Sequence, residues 1–201
     1  MRNKIFQHKQ AGYTIDQTIL IVAVIAILVT MIVGTVGWDL LSRAGATKLQ
    51  SHLRQFENAA GSFYAQYNVW PNQASANPSD PSTNFRTLIA KDALDPAYQT
   101  ADFRNYLQGY RDNGSGNPVN HPFGSGNGEV TLTTATDNGQ TYIVFEMTGV
   151  PSEEFMKADE SMDNDKSTSP TYDYTRGRLR ALEDPKQNST VTLQYYANVV
   201  Q

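Results

Sequence analysis

Cysteine is absent from all 201 residues. No disulfide can brace the fold, no thiol can serve as a nucleophile, and no thiolate can hold a metal. Histidine is scarce too: His8, His52 and His121 are the only three. Three dispersed imidazoles argue against a histidine-rich metal centre and a Ser-His-Asp triad. The chain contains no G-x-S-x-G, no phosphate-binding G-x-x-x-x-G-K-[ST] and no H-E-x-x-H. Cations are outnumbered, with 16 Lys+Arg against 20 Asp+Glu and a formal net charge of −4. Arg2, Lys4 and Lys9 lie among the first residues, so the remainder is more acidic still. That balance opposes a nucleic-acid surface, where cationic contacts to phosphate dominate. Only Arg176-Gly177-Arg178-Leu179-Arg180 offers a local basic patch. These absences predict no catalytic residues, no cofactor and no enzymatic activity.

One acidic cluster, Asp159, Glu160, Asp163 and Asp165, has the oxygen chemistry that calcium takes. Its spacing fits no recognised ion-binding loop, and a solvated acidic face is the preferred reading. Asn188-Ser189-Thr190 fits the glycosylation sequon, a common chance match.

What the chain does have is one long apolar run, Ile19 to Trp38, behind Gly12-Tyr13-Thr14-Ile15-Asp16-Gln17-Thr18. No charge falls between Thr18 and Trp38. As a helix rising about 1.5 Å per residue, that stretch reaches about 30 Å, one hydrocarbon core. The cations ahead of it predict a cytoplasmic N-terminus, and Trp38 suits the far interface. An ordinary secretory signal places its small-residue cleavage site after the apolar core. Here the conspicuous small residue, Gly12, comes before it. A cut there leaves the apolar helix on the mature chain, whereas a plain signal anchor stays uncut.

Lys9 to Gly37 resembles the type IV prepilin signature. That signature runs glycine, an aromatic or apolar residue, threonine, two aliphatics, glutamate, then an apolar helix. Gly12, Tyr13, Thr14 and Ile15 fill the first four places. Asp16 occupies the second aliphatic place and Gln17 the glutamate place. The resemblance implies that prepilin peptidase removes residues 1–12 and that Tyr13 becomes N-methylated. It implies a transmembrane and later filament-core helix over 13–38, and a periplasmic or extracellular globular domain over 39–201. It covers major pilins, minor or tip pilins and the pseudopilins of type II secretion, so it names a class of machine. The implied partners are other copies and related pilins, prepilin peptidase, an inner-membrane assembly platform and membrane lipid. The implied location is the bacterial inner membrane for the precursor, then a filament outside it. In the family the glutamate attracts the amine of a neighbouring subunit during assembly. Gln17 cannot neutralise an ammonium. Asp16 either takes over that pairing, or the chain is a tip subunit that does not need it, or Asp16 rests among headgroups. Many pilins also close a C-terminal loop with a disulfide, and some pseudopilins use calcium there; the former is impossible here. A different class, a membrane-anchored periplasmic enzyme or binding domain, shares the anchor but not the cut.

The implied architecture is α+β, a pilin fold with a long N-terminal helix packed on a small antiparallel sheet. The residues themselves add detail. Leu49, Leu53, Phe56, Ala60, Phe63 and Tyr67 form one helical stripe. Gly34, Gly37 and Gly45 weaken the helix by about 1 kcal/mol each relative to alanine, or serve close packing. Pro71 ends it near Asn68. Short helices are predicted over 85–94 and 101–108, and another over 151–162 with Pro151 in its first turn. Strands are predicted from Glu129 through the Asp137-Asn138-Gly139 turn to Met147, and over 190–200.

Overall fold

The computed structural model describes residues 15–100, 102–123, 128–164 and 166–200. They fall into two compact units divided between Leu41 and Ser42. The class is α+β, as predicted: a long N-terminal helix and a five-stranded antiparallel sheet.

Helix α1, Ile15–Tyr67, continues through Gly34, Gly37 and Gly45. Asn68 ends it. Its φ of 57° leaves the helical range, and its N–H reaches the Tyr64 carbonyl at 2.7 Å. Trp70 then stacks on Tyr64, ring centroids 4.5 Å apart. In the second unit Leu49, Leu53, Phe56, Ala60 and Phe63 are fully buried, as the stripe predicts. A side chain at Gly45 would overlap Glu154 of the helix packed beside it. The glycine there serves close helix approach; Gly34 and Gly37 have nothing near them.

The sheet order is β1-β2-β3-β5-β4, every pair antiparallel. The strands are β1 Val119–Asn120, β2 Glu129–Asp137, β3 Gln140–Pro151, β4 Leu179–Ala181 and β5 Thr190–Val200. Asp137 pairs with Gln140 across a two-residue turn, and Asn138 and Gly139 have φ of 49° and 79°. Two positive φ values in succession are what an Asn-Gly type I′ turn supplies. β3 runs past the predicted Met147 to Pro151. Its pairing with β5 shifts register twice, between Tyr142 and Val144 and between Met147 and Val150, and Gly149, φ 70°, lies in the second. Ile143, Phe145 and Met147 face the α1 stripe, joined by Leu132 and by Val191, Leu193 and Tyr195.

Two helix expectations need correction and a third holds. The predicted helix 85–94 is instead α2, Pro81–Arg86, followed by a 3-10 turn, Lys91–Ala93. Asp80 caps α2 by accepting from the Ser82 and Thr83 N–H groups, and Pro81 takes the first helical place, which requires no N–H. No helix forms over 102–108, where turns carry Phe103 and Tyr106 onto the core edge. Helix α3, Ser152–Met162, forms where predicted, with Pro151 as its N-cap.

Candidate functional site

The residues singled out at the N-terminus divide into two groups. Gly12 and Tyr13 lie outside the described residues. Asp16 and Gln17 stand in the first turn of α1, exposed and about 100° apart around its axis. A carboxylate at that end is favoured by the helix dipole. From Ile15 to Gly34 the helix is long and apolar enough to cross a membrane, a property shared with signal sequences. Its apolar side chains are exposed on every side, including Ile19, Leu20, Ile25, Leu28 and Ile32. Burying each fully would contribute about 1.5–3 kcal/mol. A helix apolar all round has no aqueous face and calls for lipid or other apolar helices. Thr30 does not spoil this, because its hydroxyl donates to the Ala26 carbonyl at 2.8 Å.

The acidic cluster is not assembled as a ligand set. Asp159 is buried on α3 and Glu160 on the same helix is exposed. Asp163 caps the end of α3 and accepts the Leu179 N–H at 2.9 Å, covering the start of β4. Asp165 is outside the described residues. Among the described residues no group of three His, Cys, Asp or Glu could hold a metal ion. The Arg176–Arg180 run is likewise no open basic patch. Arg176 pairs with Asp173 at 3.0 Å, Arg178 with Glu57 at 2.8 Å and Arg180 with Asp137. Arg180 also lies over the Tyr196 ring, 3.9 Å from its centroid.

Three polar clusters brace the second unit, and none is announced by a motif. Glu57 of α1 accepts from the Tyr195 hydroxyl at 2.6 Å and from Arg178, tying the spine to β5 and to the residue before β4. Burial raises the Tyr195 pKa, so this hydroxyl remains a donor at any physiological pH. Arg86, 1% exposed, donates through Nε and Nη2 to both oxygens of Asp112 and through Nη2 to Asp92. It clamps the loop after Tyr110 onto α2. The third cluster holds the two histidines of the second unit. His52 Nδ1 is 2.7 Å from the Tyr110 hydroxyl. His121, 2% exposed, donates from Nε2 to the Thr148 carbonyl at 2.7 Å and accepts the Phe123 N–H at Nδ1, 3.2 Å. Burial lowers the pKa of both imidazoles.

No family model, no curated protein and no solved structure matches the chain.

Proposed function

We propose that this chain is a structural subunit of a type IV pilus-like filament. The observation that carries the proposal is α1. Its first part is apolar on all sides with a single carboxylate at its start, and its second part is the spine of an antiparallel α+β domain. Prepilin peptidase cuts after Gly12, Tyr13 becomes the methylated N-terminus, and the helix moves from lipid into a filament core. The mechanism is association rather than catalysis. Asp16, the only carboxylate before Asp39, attracts the Tyr13 amine of the adjacent subunit, an attraction strengthened where water is excluded but opposed by desolvation. The precursor sits in the inner membrane with its N-terminus in the cytoplasm.

Intact mass of the protein from its native host tests the cut. The expected mature chain begins at Tyr13 and is heavier than its sequence by the one CH2 that methylation adds. A chain still beginning at Met1 would defeat the filament proposal in favour of a plain membrane anchor. Gly12→Val is expected to abolish processing, since the bulky side chain fills the place before the cut. Asp16→Asn is expected to leave processing and insertion intact while sharply reducing the protein in sheared filaments relative to the membrane pool. Undiminished incorporation of Asp16→Asn would remove its pairing role and point to a tip subunit.

A further inference from the structure

His121 sits where a single proton would break a fastening. Its ring is held from opposite sides by bonds of opposite sense: Nε2 gives a proton to the Thr148 carbonyl of β3, and Nδ1 receives the Phe123 N–H. The pair fixes the neutral tautomer with hydrogen on Nε2. A proton on Nδ1 would set two donors against each other, and the resulting cation would be buried. The ring is also closely cradled. A side chain at Gly128 would overlap both the imidazole and the Thr148 carbonyl.

The segment so fastened has only a short ladder of its own. β1 is two residues long and pairs with β2 through Val119–Val130 and Asn120–Glu129, followed by the His121 N–H donating to the Gly128 carbonyl at 3.0 Å, while Asn113 donates to the Asn120 side chain at 2.9 Å. Beyond it Phe123 is buried between the two histidines, 5.2 Å from the His52 ring and 5.7 Å from the His121 ring, with Lys48 over its face at 5.5 Å. Of the surrounding charged and titratable groups, those on α1 oppose a new cation. From α1 come Lys48, which disfavours the charged form of His52, and His52, which does the same to His121. Tyr110 bonds His52, and burial raises its pKa, so it donates a proton and carries no negative charge. Glu154 of α3, beside Lys48, is half-buried with its own pKa raised by burial. Glu129 at the start of β2 is exposed.

We propose that His121 is an acid-operated latch that holds residues 119–123 over the β2 edge and the α1 spine, and that its protonation releases this segment without unfolding the unit. Release would uncover Val130 on β2 and the seat of Phe123 on α1. Burial lowers the folded-state pKa of His121 below its ordinary 6.5, so the released form binds the proton better. The fastening is therefore intact above about 6.5 and is lost as pH falls through the folded value.

The absence of native cysteine allows a direct test on the full chain in detergent micelles. A thiol reagent is applied to Val119→Cys, with rates divided by those of an exposed control, Thr136→Cys, to cancel thiolate chemistry. One linked proton predicts that the normalised rate rises as pH falls from 7.5 to 5.5, by at most about tenfold. Ala158→Cys, buried on α3, should show no such rise; a parallel rise means global unfolding and overturns the latch. In His121→Asn and His121→Gln backgrounds the Val119→Cys rate should be independent of pH, whether slow or fast. A rise that survives both and disappears in His52→Gln would assign the trigger to His52 and overturn the proposal.

Discussion

Phe56→Ala should destabilise the folded second unit by about 3–5 kcal/mol, the range of buried phenylalanine truncations. Phe56 is fully buried on the α1 stripe, and three rings from three other parts of the chain converge on it. Phe85 of α2 is 5.5 Å away, Tyr110 5.4 Å and Phe145 of β3 5.1 Å. None of these is free to collapse into the void, because Phe85 and Tyr110 are also in edge contact with each other and Phe85 with Phe145. Chemical denaturation of the full chain in micelles measures the effect. At roughly 2–4 °C per kcal/mol the thermal midpoint should fall well outside error. Phe103→Ala, at the partly buried margin, should cost about 1 kcal/mol. Equal losses at both positions would show that the aromatic centre is not where the core is decided.

Arg86→Ala should cost about 3 kcal/mol, through electrostatics rather than packing. Removing the guanidinium leaves Asp112 beside α2 without its two charge-assisted bonds. Asp112 is 30% exposed and Asp92 63%, so water rescues part of the loss and the lower end of the usual range applies. The hydrogen bond from Arg86 is the main reason the Asp112 pKa is lowered. This contribution is therefore full at neutral pH and weakens as acid protonates Asp112 through its depressed pKa. Two variants separate charge from space. Arg86→Met keeps volume but orphans the carboxylate and should remain destabilised. Combining it with Asp112→Asn should recover a substantial part, because removing both partners avoids an uncompensated charge. No recovery in the double variant would mean that Arg86 acts by filling space.

These two positions differ in how openly the sequence displays them. Phe56 belongs to a stripe at helical spacing, and the period alone places it inside. Arg86 is a lone cation in Phe85-Arg86-Thr87-Leu88-Ile89, and its partners lie in the Lys91–Ala93 turn and the glycine-rich loop. No period links them, so only the folded chain reveals the clamp. The same distinction runs through the sheet. Asn138-Gly139 declares its turn because few other pairs accept two positive φ values. β5 declares itself by eleven residues of near alternation. β1 and β4, two and three residues long, are too short to show any period. The helix starts ahead of the predicted 85–94 because Asp80 caps it and Pro81 takes its first place, while Phe85, Leu88, Ile89 and Leu94 continue helical spacing past its end. His121 is legible only in retrospect, as a polar ring among Gly, Asn and Pro. Near the N-terminus the apolar span is plain from length and charge, whereas the role proposed for Asp16 depends on a second subunit that one chain does not contain.

The position of β5 sets a timetable for synthesis. This strand lies between β3 and β4 and supplies Val191, Leu193 and Tyr195 to the face that receives α1. Its contact with the spine, Tyr195 to Glu57, closes a loop of 138 residues. A ribosome adding about 5–20 residues per second needs on the order of ten seconds to travel that distance. Throughout that interval the stripe from Leu49 to Phe63 has emerged without the strand that completes its cover. Contacts this distant in sequence also form slowly once both ends exist. The nascent chain therefore exposes the apolar stripe of an amphipathic helix for seconds before its cover is complete.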